Sequence, residues 1–138
     1  DENYGWPIAS YGIIYGHEIK KLGPTFEEHA PNGFKEPSYY WKINPGIGQI
    51  IDVPRDFSEN LKDYFFITSL SGSLDKDNQH RGKSIYIAKF NDSYEKVTSM
   101  QRLFIGERIR DIIYSDNLNG FLIAMENSSS IGLVRVKK

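Results

Sequence analysis

The chain contains no cysteine, which excludes disulfides, thiolate metal sites, iron–sulfur clusters and cysteine nucleophiles. It has no apolar run of about 18 residues, the length a membrane-crossing helix requires, so no membrane insertion is expected. Neither sign of charge dominates: 17 Lys and Arg stand against 18 Asp and Glu, a net charge of −1. That balance gives no electrostatic ground for a nucleic-acid partner or a polybasic membrane clamp. No charged-then-apolar leader is read at the start. Alanine and leucine are scarce, at 4 and 8 residues, which argues against a helical bundle.

What is present leans towards sheet. Isoleucine reaches 17 residues, with 9 Tyr, 8 Phe and 2 Trp. β-Branched and aromatic side chains suit a pleated, half-buried surface. The 138 residues are enough for one domain with a real core.

Two regions differ in texture. Residues 1–46 are loop-rich and hold five of the six prolines: Pro7, Pro24, Pro31, Pro37 and Pro45. Short extended pieces are expected there at 10–15 and 38–41. From residue 47 to 138 the chain becomes regular. Strand-type runs recur at 48–53, 64–69, 84–90, 97–104, 108–114, 121–126 and 131–136, separated by turn signals. One helical turn is expected around 57–62. This pattern predicts an antiparallel all-β architecture and leaves sandwich, barrel and propeller open. A propeller reading makes 48–104 one four-stranded sheet and starts a second near Arg108.

The segment Glu107-Arg108-Ile109-Arg110-Asp111-Ile112-Ile113 carries the most chemistry. On a regular strand Arg108 and Arg110 share one face, and Ile109, Asp111 and Ile113 share the other. Two neighbouring guanidiniums suit bidentate binding of carboxylate or phosphate. The plainer reading is a pair of solvated or salt-bridged surface arginines. His17, His29 and His80 lack metal-ligand spacing and read as surface or hydrogen-bonding side chains. Asp75-Lys76-Asp77-Asn78-Gln79 begins like a calcium loop, but His80 takes the glycine position. Arg81-Gly82-Lys83-Ser84 lacks the earlier glycine of a phosphate loop. Tyr39-Tyr40-Trp41 is either the floor of a pocket or a packed loop anchor.

An ordered set of short motifs then bears a family likeness: Tyr4-Gly5-Trp6-Pro7, Ser10-Tyr11-Gly12, Tyr39-Tyr40-Trp41 with Pro45, Ser69-Leu70, and Gly106-Glu107-Arg108-Ile109-Arg110-Asp111. The chain resembles the C-terminal part of the soluble glucose/sorbosone dehydrogenase family, the aldose sugar dehydrogenases. The resemblance implies four-stranded blades of a six-bladed β-propeller, about two of them here behind a loop-rich N-terminal segment. It implies pyrroloquinoline quinone (PQQ) and calcium as cofactors, an aldose as substrate, and a periplasmic or secreted setting. Carried onto this sequence, it makes Arg108 and Arg110 cofactor-binding residues and places Trp41, with Tyr39, near the cofactor. The sequence departs from the family pattern at Ser71, where a lysine is usual, and at Ile43, where a threonine is usual. No match for the family's catalytic histidine or calcium ligands is found in this chain. The alternative is a non-catalytic binding module on the same scaffold. On either reading, two blades leave sheet faces uncovered, so the missing blades or further copies of the chain are expected as partners.

Overall fold

The computed structural model of the chain describes residues 2–5, 8–11, 29–70 and 82–137. Trp6, Pro7, Gly12, His17, Ser71, residues 75–79, His80, Arg81 and most of the piece expected at 10–15 lie outside these residues. Seven strands follow one another: β1 (Ile47–Asp52), β2 (Tyr64–Ser69), β3 (Ser84–Phe90), β4 (Val97–Phe104), β5 (Ile109–Ser115), β6 (Gly120–Met125) and β7 (Ser130–Val134). Three bounds coincide with the sequence expectation and four are displaced by one or two residues. The expected helical turn is a short 3-10 turn at Glu59–Leu61.

β1 to β4 form one antiparallel sheet in chain order, and β5 to β7 form a second. Each sheet is a simple meander, so the Greek-key crossovers of a sandwich are absent among the described residues. The fold is that of two successive propeller blades. Local chemistry explains the hairpins. Asn119 takes a left-handed conformation (φ 42°) before Gly120, closing the β5–β6 turn, and the Tyr114 hydroxyl donates to its Oδ1 at 2.8 Å. Residues 38–41, expected to be an extended piece, join neither sheet. Trp41 is instead fixed through its ring, which meets Tyr86 edge-on at 5.4 Å.

Alternation along the strands sorts the side chains. Phe66 and Ile85 of the first sheet face Ile109, Ile112, Phe121 and Ile123 of the second, with Val53 and Phe57 in the same core. Phe121 is fully buried and meets Phe57 and Phe66 at ring distances of 4.9 and 4.8 Å. The opposite face of the first sheet carries a smaller cluster of Ile67, Tyr86 and Ala88, partly covered by Trp41.

One expectation about facing is corrected. Ile109 and Ile112 are both fully buried, whereas Ile113 is 52% exposed. The cause is a bulge: Ile109 pairs with Met125, but Asp111 pairs with Ala124, so Arg110 is an inserted residue. The insertion reverses the alternation after it, and β5 packs on Ile109 and Ile112 rather than on Ile109 and Ile113.

A second irregularity lies opposite, in β1 between Ile47 and Ile50. There the Gln49 backbone N–H donates to Thr68 Oγ1 at 2.9 Å, and its side-chain Oε1 accepts the Ile112 N–H at 3.0 Å. Gly48 allows this approach. A Cβ at that position would lie 2.6 Å from Thr68 Oγ1 and 3.1 Å from the Ile109 carbonyl oxygen. Gly48→Ala is therefore expected to destabilise the chain by about 1–3 kcal/mol, the usual cost of overpacking. Urea denaturation checks this, and an unchanged midpoint contradicts it.

Candidate functional site

The site grows from the same bulge. Arg108 precedes β5 and Arg110 is its inserted residue. Glu126 follows β6, and its backbone N–H donates to the Arg108 carbonyl at 3.0 Å, continuing the hairpin ladder by one step. The ladder thus brings a carboxylate beside two guanidiniums. Arg108 Nε lies 3.1 Å from Glu126 Oε2, and Arg110 Nε contacts the same oxygen. The side chains of Arg108, Arg110 and Glu126 are 34%, 52% and 39% exposed, a cluster at the surface rather than in a core.

Two buried polar atoms of neighbouring residues, Glu107 and Arg108, are not satisfied among the described residues. Arg108 Nε is buried and aligned off the Glu126 oxygen, so its short contact is an ion pair without a hydrogen bond. Glu107 Oε2 is buried and accepts no hydrogen bond among the described residues. A buried acceptor without a donor is costly unless water or a ligand supplies one. The Arg110 hydrogen bond and the charges of both arginines hold the Glu126 carboxyl below its ordinary range, against an opposing effect of desolvation. Two guanidiniums share one carboxylate oxygen here, so the pair keeps N–H donors beyond those that Glu126 takes up.

Backbone bonds brace this end of the sheets. The Lys83 carbonyl accepts both the Ile105 and Gly106 N–H groups at 3.0 Å, with Lys83 itself left-handed (φ 54°). The Ser69 hydroxyl donates to the Ser84 carbonyl at 2.9 Å and accepts the Ser84 N–H at 3.0 Å. Both serines are fully buried.

The other predicted residues form a separate group. Tyr39 meets Trp41 edge-on at 4.8 Å, and Trp41 rests on Tyr86. This is loop-anchor packing on the sheet face that points away from the inter-sheet core. His29 is buried and stacked on Tyr11 at 4.7 Å, and Tyr11 stacks on Tyr40 at 4.2 Å. Glu36 ties this stack together. It accepts the Ala30 N–H at 2.8 Å and the Tyr11 hydroxyl at 2.8 Å, which together hold its carboxyl below the ordinary range. No group of three or more His, Asp or Glu side chains able to hold a metal gathers among the described residues.

Glu126 escaped the reading by spacing because it lies far from the arginines in the chain. Pairing the two expected strands 108–114 and 121–126 as a regular hairpin puts Glu126 opposite Ile109; the inserted Arg110 shifts the register by one and brings it to Arg108.

Comparison with known proteins agrees with this architecture. A family model described as Glucose / Sorbosone dehydrogenase matches residues 1–135. The aldose sugar dehydrogenase YliI of Escherichia coli K12 is 30% identical over 138 residues, which is 98% of this chain and 32% of that protein. A crystal structure of glucose dehydrogenase superposes with a TM-score of 0.72 at 22% identity, covering 99% of this chain and 36% of the other. The chain thus spans about a third of the length of either.

The lowered Glu126 carboxyl has a pH consequence. A group depressed in the folded state contributes stability above its unfolded value and loses it as the pH falls through the folded one. The stability difference between the chain and its Glu126→Gln variant is expected to be constant near neutrality. It should close as the pH falls below the ordinary Glu range. Denaturation curves across acidic pH check this; a difference that widens on acidification contradicts it.

Proposed function

Because the chain belongs to the glucose/sorbosone dehydrogenase family, we propose that it is a cofactor-holding portion of a PQQ-dependent oxidoreductase acting on an aldose. The observation that carries this reading is the Arg108–Arg110 pair, two guanidiniums against a single carboxylate. A planar quinone bearing several carboxylates matches that donor set in charge and in hydrogen-bonding sense.

When bound, the quinone supplies a two-electron acceptor for hydride from the C1 hydroxyl of the sugar. The part of this chain is binding and electrostatic. Arg108 and Arg110 hold the carboxylates, fix the orientation of the group, and favour negative charge developing on its oxygens. No residue here is assigned as the catalytic base. The described residues do not fit a calcium site built from side chains, so no step is drawn through that ion. A cofactor contact for Trp41 and Tyr39 is supported by the family likeness alone, since their packing is accounted for by Tyr86.

The chain is also read as a portion of a larger ring. Ile113, Ile131 and Leu133 lie on the uncovered face of the second sheet at 52%, 74% and 44% exposure. Ile50 and Phe104 are exposed on the first. Such faces belong to sheets flanked by further sheets, which are proposed to cover them. Light scattering of the isolated chain should therefore show concentration-dependent association, reduced by Ile131→Lys; a stable monomer contradicts this.

The cofactor reading is tested by titrating the chain with PQQ. Replacing Arg108 or Arg110 by Ala is expected to weaken binding by about 1.5–3 kcal/mol, the range for charge-assisted hydrogen bonds. Unchanged affinity in both variants contradicts the reading.

A further inference from the structure

We propose that Glu126 is a tethered competitor for the ligand of the arginine pair, occupying the anion position that a bound carboxylate takes over. The inference deepens the cofactor reading and rests on it for the identity of the site. Its basis is geometric. Both Nε atoms converge on one oxygen, Oε2, from two different positions of the chain. A single oxygen gathering two guanidiniums marks the point where their donors converge, and a carboxylate ligand has the same requirement.

The tether is short and well placed. The Glu126 N–H is bonded to the Arg108 carbonyl, and the Glu126 carbonyl accepts the Ser129 N–H at 3.2 Å in the β6–β7 turn. The carboxylate is therefore held beside the pair at an effective concentration of roughly millimolar or above. It relieves the repulsion between the two cations while the site is free. Its hold is loose, since all three side chains are about a third to a half exposed and exposed ion pairs contribute little.

An orienting partner and a competitor predict opposite signs. If Glu126 only positioned the guanidiniums, removing its charge would loosen them and weaken anion binding. As a competitor, its removal raises the net charge of the cluster and vacates the shared position, so anion binding strengthens. Glu107 does not duplicate this role, because no contact joins its carboxylate to either guanidinium.

Calorimetric titration with benzene-1,3,5-tricarboxylate, a rigid planar polyanion, separates the two. Glu126→Gln is expected to bind it about tenfold more tightly than the unaltered chain, with a steeper loss of affinity as salt is added. Glu126→Asp keeps the charge and shortens the tether, and is expected to fall between the two. Adding Arg110→Ala to Glu126→Gln should abolish the gain. Equal or weaker binding by Glu126→Gln overturns the proposal, as does a failure of every protein to bind the tricarboxylate. If Glu126→Gln unfolds, the Glu126→Asp titration decides alone, with a gain supporting the proposal and no gain overturning it. Failure of the cofactor reading is distinguishable: the tricarboxylate gain then appears, but the unaltered chain does not take up PQQ.

Discussion

Two bulges meet where β1 crosses β5, and the position of nearly everything else of interest depends on that contact. β5 is the outer strand of its sheet, so the N–H groups on its far side have no ladder partner, and inside a folded chain such a group must find an acceptor. The Ile112 N–H finds the Asp111 carboxylate at 2.8 Å and the Gln49 amide oxygen at 3.0 Å. Gln49 can reach it because its own strand is irregular at the same height and because Gly48 has no side chain to keep the backbones apart. The contact fixes the start of β5 against the first sheet and lets Ile109 and Ile112 enter the shared core from a strand that would otherwise turn one of them outwards.

The same insertion determines where Arg110 lies. Without it, Arg110 would lie in regular register with a partner on β6. As the extra residue, it is unpaired in the ladder and free to turn towards Glu126. The arginine pair is thus a product of local strand geometry, while its carboxylate comes from the far end of the hairpin. Buried hydroxyls carry the load nearby: Thr68, Ser69 and Ser84 are fully buried, yet each has a hydrogen-bond partner, so the end of the first sheet stays rigid without further charge.

Much of this architecture was legible in the residues. Runs of Ile, Tyr and Phe between Gly, Asn and Pro clusters located all seven strands, because sheet burial with a period of two leaves a direct imprint on sequence. The bulges left none. Arg110 and Gln49 are ordinary residues whose roles arise from a register mismatch that only pairing reveals, and the facing of Ile113 was misread for that reason. Residues 38–41 have strand-like composition but touch β4 through the Ser38 carbonyl, which accepts the Val97 N–H at 3.1 Å, without extending into a ladder, and their aromatic rings act as anchors instead of strand side chains. The arginine pair was visible as a pair. Its counter-ion was not, because contact across a hairpin is set by turn length and register rather than by spacing along the chain. The burial of His29 in a stack with Tyr11 and Tyr40 was equally hidden, being a contact between distant loops.

The placement of the charges also separates two questions that a partial ring would seem to join. The outward faces of both sheets expose apolar side chains. The charged cluster is built differently. Arg108 and Arg110 come from the start of β5, Glu126 from the turn after β6, and the brace from Gln49 on β1, all within this chain. The arrangement of the pair therefore rests on the contact between the two sheets of this chain. A chain covering 36% of a glucose dehydrogenase structure can then hold this cluster whole, because the cluster sits on a single hairpin and its immediate neighbour.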